Sequence, residues 1–475
     1  MHIHLIGIGG SGLSAIALVL LESGYAVSGS DRQASPLSRK LQQAGVTVYY
    51  GHQAENIAGA DLVVRSSAVP DENVEVKAAR EAGIPVLKRA DFLGQLMAGK
   101  QAIAVAGTHG KTTTTAMIAW MLKVLELDPS YVIGGVSVDL GGNAHAGSGQ
   151  YFVIEADEYD RMFLGLQPDL AVVTNIEHDH PDCYPTYQDF YLAFQEFVTR
   201  LKPGGALVAC GDNPGSAQLL SWAVEQGFRA FSYGLQSTSY DYSTTRTVYG
   251  EQGDFSFSAL HGGKIMAEVP LQVPGNHNVS NALAALAVAH VLGLPMDRAA
   301  AALGQFRGTG RRFELRGEAA GILVFDDYAH HPTKIRATLS AARARFPQRR
   351  IWAVWQPHTY SRARTLFADF AAAFGDADQI LVTEVYAARE AAPEDGFSAY
   401  PFIQAIQAHA TAPDCVHYAP TLVEARDYLL EHIRPGDVVF VLSAGDADQI
   451  SAQVLQTLRN DLASATEGRS GMALN

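Results

Sequence analysis

Twice in the first 125 residues a strand-length apolar run closes on clustered glycines and passes directly into a segment of helical period. The first run is His2 to Ile8, whose end overlaps Gly7-Ile8-Gly9-Gly10-Ser11-Gly12 and leads into a helix near Ser11 to Glu22. The second is Gln101 to Ala106, followed by Gly107-Thr108-His109-Gly110-Lys111-Thr112 and a helix over Thr112 to Leu125. A strand that turns tightly into a helix must return to a parallel neighbour, so the pattern commits the chain to β-α units and mostly parallel sheets.

The alternation continues and restarts twice. After Tyr25 to Ser30, which ends in Asp31, strands are expected at Thr47 to Tyr50, Asp61 to Ser66 and Pro85 to Lys88. A domain boundary falls near residues 98 to 100. The middle block adds Tyr151 to Ile154, Leu170 to Thr174 and Ala206 to Cys210. A polar stretch follows, Ser232 to Ser258, whose alternation predicts antiparallel strands at a sheet edge, and then a helix from Asn276 to Leu292. The third block begins after Arg312, with strands at Ile322 to Phe325, Ile351 to Trp355, Gln379 to Thr383 and Val438 to Leu442. A frayed tail is expected from Ala463. The 475 residues suffice for about three domains, or two large ones, each with its own core.

Composition narrows the function classes. With 48% hydrophobic and 18% charged residues the chain is globular, and a net charge of −14 predicts no general attraction to nucleic acid or to an anionic membrane. An anionic ligand must therefore be held locally. Cys183, Cys210 and Cys415 lie far apart, which suggests neither a disulfide framework nor a zinc site. The apolar run Ala282 to Met296, interrupted by His290, is short for a membrane span, and Met1-His2-Ile3-His4 lacks the basic head of a signal peptide. A cytoplasmic protein without stable membrane association is expected.

Gly7 to Gly12 satisfies G-x-G-x-x-G between a strand and a helix, and Asp31 ends the next strand. Such glycines let a diphosphate approach the helix N-terminus, while the carboxylate can accept from a ribose hydroxyl. The ligand could be of NAD or UDP type, or the turn could be structural only. In the second loop Lys111 can neutralise phosphate oxygens and Thr112 can ligate Mg²⁺, although Val105 stands where the general phosphate-loop pattern has glycine. Nucleotide triphosphate binding is the reading of Gly107, Thr108, His109, Gly110, Lys111, Thr112 and Thr113. Acids that end a strand beside a phosphate loop face its metal, which makes Glu155 the first candidate and Glu158 the second. Asn175-Ile176-Glu177-His178-Asp179-His180 also follows a strand and suggests a metal or catalytic role. In the third block, Asp326 to Pro332 and Gln356 to Arg364 end two strands with His and Arg, suited to a carboxylate or phosphate.

Taken in order, these segments, with Gly275-Asn276-His277-Asn278 and Gly310-Arg311-Arg312-Phe313-Glu314, resemble the Mur ligases, the ATP-dependent amino-acid ligases of peptidoglycan synthesis. The resemblance covers nearly the whole chain and is nearest to the branch that joins L-alanine to UDP-N-acetylmuramate through an acyl phosphate. It implies three domains: a Rossmann-like domain for the UDP sugar (1–99), a central P-loop ATPase domain (100–312) and a Rossmann-like domain for the amino acid (313–475). It implies that Lys111 holds ATP phosphates, that Thr112, Glu155 and His180 ligate Mg²⁺, and that Asn278, Arg312 and Asp327 contact the nucleotide. His358 and Arg362 would then serve the amino acid and the tetrahedral intermediate, and Gly9, Gly10, Ser11, Gly12 and Asp31 the UDP moiety. Tyr159 stands where the alanine branch usually has Ser, and it resembles instead the branch that recycles murein tripeptide, the alternative amino donor. No lysine lies between His180 and Lys202 to supply the carbamylated lysine of several relatives, which leaves the metal to carboxylate and His. A nicotinamide dehydrogenase built on the first loop would leave Lys111 and Thr112 unexplained, and an ATP-switched binding module would form no amide.

Overall fold

A computed structural model describes residues 1–249, 255–388, 390–410 and 412–472. It is a three-domain α/β protein whose described residues form two compact units: residues 1–272 with 278–309, and residues 273–277 with 310 onward. The first unit carries two sheets. Its N-terminal sheet is wholly parallel, with strands β1 (His2–Ile6), β2 (Ala26–Asp31), β3 (Thr47–Tyr50), β4 (Leu62–Arg65) and β5 (Val86–Lys88) in the order β3-β2-β1-β4-β5. Strand order reverses beside β1, so the crevice at its carboxyl end, where Gly7 begins, is the ligand position such sheets favour.

The central sheet has ten strands: β6 (Gln101–Ala106), β7 (Ser130–Ser137), β8 (Gly142–His145), β9 (Tyr151–Glu155), β10 (Leu170–Val173), β11 (Ala206–Cys210), β12 (Arg229–Tyr233), β13 (Tyr242–Tyr249), β14 (Phe255–His261) and β15 (Lys264–Leu271). Their order is β15-β14-β13-β12-β11-β10-β6-β9-β7-β8. The strands flanking β6 are parallel to it and buried, and they are apolar apart from Tyr151 and the terminal Glu155 of β9. The expected antiparallel edge is present as β13 to β15, with residues 250–254 of the polar stretch outside the described residues. Helix Ser11–Glu22 of the N-terminal domain packs on β7 and β8, so one apolar core runs continuously from Leu5 and Ile16 to Ala104 and Ile154.

The second unit holds a six-stranded sheet: β16 (Glu314–Ala319), β17 (Ile322–Asp327), β18 (Ile351–Trp355), β19 (Gln379–Val382), β20 (Val416–Tyr418) and β21 (Val438–Leu442), in the order β16-β17-β21-β18-β19-β20. All pairs are parallel except β16 with β17. The tail differs from expectation. Helix Asp448–Met472 continues through Ala463, propagating from a first half anchored by buried Ile450, Val454 and Leu455. Among the described residues no helix is long and apolar enough to cross a membrane.

Candidate active site

The second glycine loop is held open by its neighbour strand rather than by its own sequence. Gly107 has φ +132, and a Cβ there would overlap the Thr174 hydroxyl; Gly110, at φ +83, packs against the Asn281 side chain. From the end of β10, Asn175 Oδ1 accepts from the His109 amide at 2.8 Å and its Nδ2 donates to the His109 carbonyl at 3.1 Å. Thr174 Oγ1 donates to the same carbonyl at 2.5 Å, and Thr108 Oγ1 donates to the Glu177 carbonyl at 2.8 Å. Glu177 also pairs with His109 Nε2 at 3.1 Å. Asn175 and Glu177 thus shape the loop. Of the histidines in that segment, His178 reaches the Tyr184 carbonyl, whereas His180 turns toward Glu158.

Lys111 and Thr112 of this loop meet different acids. Lys111 Nζ donates to the Gly107 carbonyl at 2.6 Å and pairs with Glu158 at 2.7 Å. Thr112 Oγ1 instead donates to Glu155 at 2.9 Å, and the other Glu155 oxygen accepts from the Gly134 amide at 2.7 Å. Glu158 is fully buried, and burial alone would raise its pKa, but Lys111 and His180 outweigh that and hold it at about 2. Burial likewise disfavours the Lys111 ammonium, yet Glu158, Asp157 and Glu155 raise its pKa and keep it charged. Asp157 moves upward, through burial and the neighbouring Glu158 carboxylate. His180 Nε2 lies 3.7 Å from Glu158, and its backbone sits at φ +55, an unfavourable conformation for a residue with a Cβ. Tyr159 lays its ring edge-on to His180 at 5.1 Å and donates to Asp182 at 3.1 Å. Asn278 is buried and accepts from Asn281 Nδ2 at 3.3 Å; Asn281 in turn accepts from Thr114 in the phosphate-loop helix at 3.1 Å.

In the first glycine loop, Asp31 Oδ2 accepts from the Gly9 amide at 2.8 Å and Oδ1 from the Arg32 amide at 2.7 Å, so its carboxylate clasps the loop. Gly12 has a role that the motif did not reveal: a Cβ there would fall inside the Arg89 guanidinium, which lies across the first turn of helix Ser11–Glu22. Arg89, Ser11 and Gly12 line a cavity of about 80 Å³ that Gly134, Glu155 and Asp157 also line. Sequence reading missed Arg89, which no motif contains, and Gly134, although a glycine pair inside an apolar strand is itself a sign of close approach.

In the second unit, the Phe313 amide donates to Asp327 at 2.7 Å, and burial raises the Asp327 pKa despite that amide and Arg312. Arg312 neighbours the exposed His277, whose pKa that positive charge lowers. His358 Nδ1 accepts from Arg362 Nη1 at 3.2 Å, and the ring stacks on Tyr386 with centroids 5.7 Å apart. Arg362 is itself buried on helix Tyr360–Thr365, which Thr359 caps by accepting from the Arg362 amide at 3.4 Å. His358 and Arg362 are thus in contact, and Arg312 acts electrostatically on Asp327.

Residues 2–101 match the Mur ligase family catalytic domain, residues 105–289 the Mur ligase middle domain and residues 311–445 the Mur ligase glutamate ligase domain. The chain is a Mur ligase. It is an ATP-dependent, ADP-forming carboxylate-amine ligase, as that family is. This Mur ligase is 43% identical to the UDP-N-acetylmuramate–L-alanine ligase of Pelotomaculum thermopropionicum, over 97% of this chain and 98% of the relative. It is 45% identical to the enzyme of that name from Geobacter sp. strain M21, over 96% of this chain and 98% of the relative. Among solved structures, the UDP-N-acetylmuramate-alanine ligase of Thermotoga maritima matches 97% of this chain and 100% of its own at TM-score 0.79 and 29% identity. A murein peptide ligase from Psychrobacter arcticus matches 96% and 98% at TM-score 0.68 and 28% identity.

Proposed function

We propose that this Mur ligase joins L-alanine to the lactyl carboxylate of UDP-N-acetylmuramate, with ATP converted to ADP and phosphate, in the cytoplasmic synthesis of peptidoglycan precursors. The observation that carries the reading is the single cavity that contains Ser11 and Gly12 of the first loop together with Glu155 and Asp157 beside the phosphate loop. A sugar nucleotide seated on the first loop presents its acid to the groups that handle the triphosphate. The names of the relatives aligned over nearly the whole chain favour alanine as the amine.

In the proposed reaction a carboxylate oxygen attacks the γ-phosphorus of ATP and the bond to the β–γ bridging oxygen breaks, so ADP leaves with that electron pair. The alanine amine then attacks the acyl carbon, the carbon–oxygen bond to phosphate breaks, and the nitrogen loses a proton. Lys111 offsets the repulsion between a carboxylate and a triphosphate, for which it must exchange Glu158 for phosphate oxygens. Glu155 and the Thr112 hydroxyl touch, and two oxygen donors in contact suit a hard cation. Thr112, Glu155 and His180 would hold Mg²⁺, which would supply further neutralisation of phosphate charge. Gly107 to Thr113 cradle the phosphates, Asn278, Arg312 and Asp327 serve the nucleotide, and Gly9, Gly10, Ser11, Gly12 and Asp31 serve UDP. His358 and Arg362 serve the amino acid and the tetrahedral oxyanion. The corresponding domain limits are 1–99, 100–312 and 313–475.

The test is ATP-dependent phosphate release with UDP-N-acetylmuramate and, separately, L-alanine, glycine, L-serine or murein tripeptide, with product masses measured. Dominant turnover with alanine is expected. Dominant turnover with tripeptide would reassign the enzyme to recycling, and no turnover with any of the four would refute the reading.

A further inference from the structure

Arg89 is the first residue of helix Arg89–Leu96, which follows β5 directly and packs on the segment Tyr159–Gly165 of the central domain. The contact is made backbone to backbone: a Cβ on Gly165 would overlap the Ala90 carbonyl, and one on Gly94 would lie 3.2 Å from the Gly165 carbonyl. The base of the Arg89 side chain is thereby fixed between the N-terminal and central domains. Its guanidinium then crosses the cavity wall to lie on Gly12, where only a residue without a side chain leaves room.

The guanidinium is chemically unfinished in that position. Its Nε is inaccessible to solvent and has no hydrogen-bond partner, and among the described residues no carboxylate comes within 4.0 Å of the side chain. Asp157 and Asp160 act on it from farther away, and burial, the larger effect, lowers its pKa. An arginine nevertheless stays charged. A half-enclosed cation without an ion-pair partner, aimed into a cavity, is costly unless an anion completes it. Glu155 and Asp157 also line this cavity, and of its charged side chains Arg89 is the one that can receive an anion.

We propose that Arg89 is the oxyanion receptor for the sugar nucleotide, its guanidinium taking a diphosphate or carboxylate oxygen of that substrate above Gly12. This rests on the proposed function, since it presumes that a sugar nucleotide enters this cavity. The planar fork can grip two oxygens of one oxyanion at once. The assignment makes Arg89 a binding residue contributed by the last helix of the N-terminal domain, and gives the third glycine of the first loop its reason.

The experiment measures equilibrium binding of UDP-N-acetylmuramate, of UDP-N-acetylglucosamine, which keeps the diphosphate but lacks the lactyl carboxylate, and of ADP, to the full chain and to Arg89→Met and Arg89→Lys. Arg89→Met is expected to weaken the muramate ligand roughly 10- to 100-fold, the range for losing a hydrogen bond to a charged group. Arg89→Lys should restore only part of it, because an ammonium lacks the fork. ADP affinity and the unfolding midpoint should not move. Equal loss for both UDP sugars identifies the diphosphate as the bound oxyanion, and loss confined to the muramate identifies the carboxylate. Unchanged affinity for both sugars in Arg89→Met overturns the inference, as does a parallel loss of ADP binding, which would mark a structural role. If the unaltered chain binds ADP but neither sugar nucleotide, the proposed function fails first and takes the inference with it.

Discussion

Replacing Glu158 with Gln should make the nucleotide-free protein less stable and yet bind ADP more tightly. Lys111 sits between the Gly107 carbonyl at 2.6 Å and the Glu158 carboxylate at 2.7 Å, and the same ammonium is the group that must meet phosphate. Nucleotide binding therefore has to displace a buried ion pair. The carboxylate is held from an ordinary 4.5 down to about 2 against the opposing effect of burial. At 1.36 kcal/mol per unit, that depression corresponds to ~3 kcal/mol of preference for the ionised group. Removing one partner of a buried pair typically costs about 3–5 kcal/mol, so a loss of ~3 kcal/mol in the nucleotide-free state is expected. The nucleotide complex, in which phosphate replaces Glu158, loses less. ADP affinity should then rise at least ~10-fold, which corresponds to recovering about 1.4 kcal/mol of that difference. The assay is calorimetric titration with ADP in excess EDTA, so that no divalent ion complicates the comparison, together with urea unfolding of the nucleotide-free protein. Unchanged or weaker ADP binding in EDTA, or an unfolding midpoint equal to that of the unaltered protein, would refute the idea that Glu158 competes with nucleotide for Lys111.

Lys111→Ala should abolish phosphate release while circular dichroism and the unfolding profile of the second unit stay in place; near-normal turnover would remove the phosphate-loop assignment. His180→Ala should shift the Mg²⁺ titration of turnover to higher concentration, and a superimposable titration would take His180 out of the metal shell. Glu75, fully buried in the N-terminal domain, has its pKa lowered to about 2: burial opposes ionisation, but the His4 ring 3.7 Å away and hydrogen bonds from Ser30 and Asn56 outweigh it. A depressed carboxylate stabilises the fold above its unfolded value and loses that contribution as pH falls through the folded one, so Glu75→Gln should cost ~3 kcal/mol at pH 7 and progressively less between about pH 4.5 and 2. Urea unfolding at a series of pH values checks this, and a cost that does not change with pH would show that the carboxylate charge is irrelevant there.

What could be read from the sequence follows from where each element lies. Gln101–Ala106, Ala206–Cys210, Ile351–Trp355 and Val438–Leu442 were legible to the residue, because a parallel strand covered on both faces must be apolar throughout and its ends are marked by the turns. Ser130–Ser137 and Gly142–His145 carried no such signal. They lie at the sheet edge, where Gly134-Gly135 and Gly142-Asn143 break any apolar run, and the Ser11–Glu22 helix packs on them from a different domain. The same distinction divides the site. Lys111 and Thr112 were legible because a phosphate loop constrains neighbours in sequence, and the loop's chemistry is local. Which acid each would meet was not legible, since Glu155 and Glu158 are separated by only two residues, where the chain leaves β9 and enters the irregular segment Tyr159–Gly165 with positive φ at Asp160 and Arg161. Arg89 was the hardest to see. Its partner in space, Gly12, stands at the far end of the same domain's sequence, and the reason for their contact is the absence of an atom, a missing Cβ that leaves no trace in residue type beyond a glycine already explained by the loop. A motif glycine thus has two claimants, the backbone turn and the side chain it admits. Only the fold distinguishes them: Gly7, at φ +88, is required by the turn, whereas Gly12 lies within a helix and owes its identity to Arg89.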